Sequence, residues 1–88
     1  MILFTLYSRS YCHLCDDMRE ALEKLVQHMP HQIVITDIDS DPALLKQYDE
    51  LVPVLFAHKT GAPNSADVGE QLCHYFLDAD KVKAFCDE

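Results

Sequence analysis

The chain has 88 residues, 49% of them hydrophobic and 25% charged, enough for one small domain (1–88) around one core and too apolar for a disordered segment. Fifteen acidic residues against seven basic ones give a net charge of −8, which argues against nucleic acid or an anionic membrane as partner. No apolar run approaches the roughly 20 residues of a membrane span, and the short apolar start has no basic residue before it, so the expectation is a cytoplasmic monomer without a secretion signal.

Ile2 to Tyr7 is apolar and aromatic, the composition of a buried strand. Ser8 to Tyr11 makes a short connection. A helix is predicted from Cys12 to Gln27, because Cys15, Met18, Leu22, Leu25, Val26 and Met29 recur at helical spacing. Pro30 stops it. Ile33 to Ile38 is a second β-branched run. Asp41-Pro42 then reads as an N-cap with proline at the first helical position, and Leu44, Leu45 and Tyr48 give that short helix its apolar side.

Pro53 to Ala57 is predicted as a third strand that opens on proline, a tolerated position. His58 to Glu70 is polar, holds both glycines, and reads as a long loop. Gln71 to Phe76 makes the fourth strand, and Asp78 caps a last helix through Val82, Phe85 and Cys86. The first strand, helix and strand form a β-α-β unit, which implies a right-handed crossover between parallel strands. The loop between the last two strands permits an antiparallel pair.

Cys12-His13-Leu14-Cys15 falls directly after the first strand and at the start of the first helix. Two thiols at this spacing can close a disulfide. A helix N-terminus favours a thiolate, because its free N–H groups and dipole attract negative charge. Cys15 shares the apolar stripe and is expected to be buried; Cys12 lies one turn earlier, at the accessible tip. That assigns Cys12 as attacking thiolate and Cys15 as resolving thiol. Arg9 and a protonated His13 support the Cys12 thiolate, while Asp16 and Asp17 oppose it. Tyr11 precedes Cys12 and either shields the disulfide or packs over the helix start.

Other readings of the pair stay open at this stage. The cysteines can simply pack, or contribute to a zinc or iron–sulfur site, with His13, His58, Cys73, His74 and Cys86 as further donors. No second Cys-x-x-Cys completes such a set, so no metal is expected. Cys73 and Cys86 read as core residues, and His28, His31 and His58 as solvated ones.

The run Leu6 to Cys15, then Asp37-Ile38-Asp39 with Asp41-Pro42, then Val52-Pro53-Val54-Leu55, resembles the small bacterial glutaredoxin-like proteins of the thioredoxin superfamily. The resemblance spans nearly the whole chain in the right order. It implies a thioredoxin-like α/β fold, β-α-β-α-β-β-α, with a four-stranded mixed sheet in the order 2-1-3-4. It further implies a thiol–disulfide oxidoreductase acting on protein or small disulfides, without organic cofactor, drawing electrons from glutathione or a reductase. Pro53 matches the family's cis proline, which presents the backbone of Val52 to a substrate chain. Arg9 matches a basic residue that such proteins place near the glutathione carboxylate. The family's Gly-Gly after the fourth strand is replaced here by Phe76-Leu77, and the usual Pro-Tyr between the cysteines by His13-Leu14, so weak use of glutathione is expected. The competing class is a binding module that holds a peptide at Val52-Pro53 with its thiols incidental.

Overall fold

In the computed structural model, which describes residues 2–10, 12–59 and 69–87, each expected run becomes an element. They are β1 (Ile2–Ser8), α1 (His13–Val26), β2 (His31–Asp37), a single 3-10 turn (Ile38–Ser40), α2 (Pro42–Tyr48), β3 (Val54–Lys59), β4 (Glu70–His74) and α3 (Ala79–Asp87). Most of the expected loop from His58 to Glu70 lies outside the described residues; His58 and Lys59 complete β3 and Glu70 opens β4.

The boundaries follow from local chemistry. The α1 helix ends at Val26, four residues before Pro30, and the Met29 N–H closes the end on the Val26 carbonyl at 3.0 Å. The Asp41 side chain accepts the Ala43 N–H at 2.9 Å and Pro42 takes the first position of α2, as the sequence predicts. The β2 strand starts at His31 and stops before Ile38, because Asp37 accepts the Asp39 N–H at 2.9 Å and folds the chain into the 3-10 turn. The β4 strand ends at His74 rather than Phe76. Tyr75 has a positive φ of 64°, which turns the backbone off the ladder and leaves Phe76 70% exposed.

The sheet runs β2-β1-β3-β4. The β1–β2 pair is parallel, joined by α1; β1–β3 and β3–β4 are antiparallel, with a register shift at Leu55/Phe56. Alternation along the strands gives each face its own cluster. Ile2, Phe4, Leu6, Leu55 and Ala57 join Met18, Leu22 and Val26 of α1 and Val82 and Phe85 of α3. On the other face, Tyr7, Val54 and Phe56 join Ile38, with Leu44, Leu45 and Tyr48 of α2 packed against them. Leu22 and Phe4 are fully buried, so truncating either to alanine removes about 2–5 kcal/mol. Gly69, at φ 94°, brings the chain into β4 where a Cβ would run into the Ala57 carbonyl, so only glycine fits there.

Candidate functional site

The turn between β1 and α1 carries the cysteine pair. Cys12 has extended backbone (φ −103°, ψ 104°) and is the N-cap of α1. Serine, threonine or aspartate usually supplies a capping oxygen there. Here the Cys12 Sγ does so, accepting the Cys15 N–H at 3.1 Å, while the Cys12 carbonyl accepts the Asp16 N–H at 3.2 Å. One of the orphan donors of the helix end is thus aimed at sulfur. The two cysteines are joined as a disulfide, with Cα atoms 5.2 Å apart. Cys15 is 3% exposed, on the stripe of Met18, Leu22 and Val26, whereas Cys12 is half-buried at the tip.

Around the pair the structure rearranges the sequence expectations. Arg9 is exposed, and both its Nε and its Nη2 lie 3.0 Å from Asp39 Oδ1, thirty residues away. Sequence reasoning grouped Arg9 with Cys12 and did not find Asp39, since only the parallel β1–β2 register, with Ser8 beside Asp37, brings the two together. The Arg9 guanidinium is therefore already matched by a carboxylate. His13, at the first position of α1, and Leu14 both face solvent. Tyr11 lies outside the described residues.

Pro53 is buried, Val52 is half-buried, and the peptide bond between them is cis, as the resemblance implies. The pairing of Tyr7 with Val54 puts this corner at the same end of the sheet as the start of α1. Tyr75, which sequence reasoning passed over as part of a strand, ties the corner down. Its N–H donates to the Pro53 carbonyl at 2.9 Å, and its hydroxyl donates to the Glu50 carbonyl. A groove of about 180 Å³ runs beside the motif, lined by Leu14, Met18 and Ala21 of α1 and by Tyr75, Phe76 and Leu77. Leu77 also packs against the main core, so the segment after β4 is bulky and anchored.

The other two cysteines are free thiols. Cys73 is buried in β4, as expected. Cys86 is half-buried on α3, packed against the edge of the core rather than inside it. Burial pushes both thiols above their ordinary range; around Cys73 the Asp78 charge adds to this while a backbone hydrogen bond at Asp78 opposes it, and around Cys86 the Asp87 charge adds. Tyr7 is likewise raised, by burial first and then by Tyr48 and Asp41. Two histidines are not as solvated as expected: His31 lies in β2 with Nδ1 2.8 Å from the Met29 carbonyl, and His58 is half-buried in β3. Among the described residues no three His, Cys, Asp or Glu side chains gather in a way that would hold a metal ion. No described helix is long and apolar enough to cross a membrane.

Residues 3–86 match the family model described as Glutaredoxin-like domain (DUF836). The chain is similar to protein Ne2328 from Nitrosomonas europaea, at 33% identity and a TM-score of 0.77, over 96% of this chain and 89% of that one. It is also similar to the X. campestris structural-genomics target XcR50, at 30% identity and a TM-score of 0.63, over 96% and 95% of the two chains. Chloroplastic thioredoxin z, at 18% identity and a TM-score of 0.69 over 99% of this chain and 76% of its own, shares the fold. No curated protein matches the chain.

Proposed function

We propose, from the premise that the chain belongs to the glutaredoxin-like domain family, that its Cys12–Cys15 couple is a thiol–disulfide oxidoreductase centre. The observation that carries this reading is the asymmetry of the pair. Cys12 is reachable and its sulfur takes a helix N-terminal N–H, which stabilises negative charge on it; Cys15 is buried directly behind.

In the reduced protein the Cys12 thiolate attacks one sulfur of a substrate disulfide, and the other sulfur leaves as a thiolate and takes up a proton. Cys15 then loses its proton and attacks Cys12 Sγ, expelling the second substrate thiol. Two electrons pass to the substrate and the pair ends as the disulfide. Two thiols from a donor, or a reductase, return it to the dithiol. Neither metal nor organic cofactor enters these steps. Val52, held next to buried Pro53, offers its backbone carbonyl to a substrate strand, its own N–H going to the Tyr48 carbonyl at 3.2 Å, and His13 follows Cys12 as the first residue of α1.

Glutathione is the weaker donor in this reading. It carries two carboxylates, the chain carries −8, Arg9 is engaged by Asp39, and Phe76-Leu77 stands where close backbone approach would be needed. Protein disulfides are the favoured substrates. The test is a Cys15→Ser variant reduced and offered a protein disulfide. A stable mixed disulfide on Cys12, identified by mass spectrometry, is expected. Failure of Cys12 to form any mixed disulfide, with protein or small disulfides alike, would leave the binding-module reading in its place. Vigorous turnover saturating at low glutathione would reverse the ranking of donors.

A further inference from the structure

The two edges of the sheet are built differently. The β4 edge has five residues, opens on Glu70 and follows a register shift, all of which discourage a further strand. The β2 edge has seven residues paired to β1 in unbroken register, and no described strand covers its outer side. From His31 to Thr36 it carries no Lys, Arg, Asp, Glu or Pro. Val34, on one face, is 37% exposed and Ile35, on the other, is 49% exposed, so both faces of the strand reach solvent. An edge of this length, uncharged from Gln32 to Thr36, offers a row of backbone donors and acceptors that no described strand pairs.

What fits this edge is written in its own sequence, His31-Gln32-Ile33-Val34-Ile35-Thr36-Asp37. Laid antiparallel on itself about Val34, the strand pairs Val34 with Val34, Ile33 with Ile35, Gln32 with Thr36 and His31 with Asp37. Each pair joins residues of the same parity, so both members direct their backbone groups and side chains alike, as an antiparallel ladder requires. Apolar pairs fall at the centre, and at each end an imidazole meets a carboxylate. His31 gives its Nδ1–H to the Met29 carbonyl, so its Nε2 donates to the second copy's Asp37 in the doubly protonated imidazolium, on the carboxylate oxygen that does not take the Asp39 N–H.

We infer that β2 pairs with β2 of a second copy of this chain, antiparallel about Val34, to give a continuous eight-stranded sheet. The order becomes β4-β3-β1-β2-β2-β1-β3-β4. Because Cys12 follows the C-terminal end of β1, the two-fold axis sends the two cysteine pairs to opposite ends of the joined sheet, both open. Association is modest and salt-assisted, since each copy brings a charge of −8. It replaces the monomer expected from the sequence and does not depend on the proposed redox chemistry.

Sedimentation of the oxidised full chain in about 0.3 M salt, which shortens the reach of charge to about 6 Å, tests this from micromolar to millimolar protein. The wild type is expected to pass from monomer to dimer. Val34→Lys, which sets two like charges face to face on the axis, should weaken the dimer at least tenfold while its circular dichroism and disulfide exchange stay as in the wild type. Register is read separately by oxidative cross-linking. A Val34→Cys variant should give, by mass spectrometry, a peptide joined through position 34 of both copies, whereas Thr36→Cys, whose opposite residue is Gln32, should not link to itself. A wild type that stays monomeric at millimolar concentration overturns the inference. So does a Val34→Lys dimer as tight as the wild type, or equal cross-linking at positions 34 and 36.

Discussion

Cys12 and Cys15 stand where a helix begins; Cys73 and Cys86 stand where β4 and α3 press on the core. The residue type is the same and the surroundings are opposite. At the helix tip a backbone N–H donates to sulfur and the reachable thiol has a buried partner behind it. At the β4–α3 region burial removes water from the thiols and raises them above their usual range. The contrast teaches that a cysteine's chemistry here is set by what the backbone offers it: free helix N–H groups in one place, apolar packing in the other.

The largest effect expected from this contrast is in alkylation. In the reduced protein at neutral pH, Cys12 should be labelled at least about 100-fold faster than Cys73, and well ahead of Cys15. Peptide mass spectrometry over a time course reads this directly, and equal rates at Cys12 and Cys73 would erase the distinction between the two regions.

Turnover should separate them next. Cys15→Ser is expected to reduce steady-state reduction of a protein disulfide at least about tenfold, because the mixed disulfide is no longer resolved from within. Cys73→Ser should leave turnover per folded molecule unchanged. A coupled thiol assay, normalised to the folded fraction, compares the two.

Stability should show the reverse ranking. Serine at position 73 places a hydroxyl among apolar groups and is expected to cost about 1–2 kcal/mol in urea unfolding. Serine at position 12 supplies an oxygen where an N-cap prefers one, so the reduced Cys12→Ser protein should stay within about 0.5 kcal/mol of the reduced wild type. A Cys12→Ser protein destabilised as much as Cys73→Ser would mean that the tip is as tightly packed as the core.

The smallest effect is in alkaline pH. With Cys12 and Cys15 held oxidised, Cys73 and Cys86 are the thiols left to titrate. Their folded values are raised above the ordinary 9.0, so the unfolded chain ionises first. Their contribution is fully present below 9.0 and is lost as pH rises through the folded values. Tyr7, raised above 10.0, acts in the same sense at higher pH. Unfolding midpoints should therefore hold to about pH 9 and fall beyond it, and Cys73→Ala should fall less steeply than the wild type.

Much of this was legible in the residues themselves. The stripe of Cys15, Met18, Leu22 and Val26, the Asp41-Pro42 start of α2 and the β-branched run of β2 are periodicities and caps whose physics acts over a few residues. The same locality separated Cys12 at the helix tip from Cys15 on the buried face. The sheet order came from resemblance to a family rather than from those patterns, because strand order depends on contacts between distant segments.

What the residues alone determined, then, was which segments become strands and helices and which thiol lies outermost. Tertiary structure decided who meets whom. It matched Arg9 with Asp39, tied Tyr75 to the carbonyls of Glu50 and Pro53, turned Phe76 outward, and left β2 at the end of the described sheet. Hydrogen-bond periodicity and capping are satisfied within a turn or two of chain, so sequence spacing reports them. Asp39 lies 30 residues from Arg9 and Glu50 lies 25 from Tyr75, and they become neighbours only after the sheet has set its register.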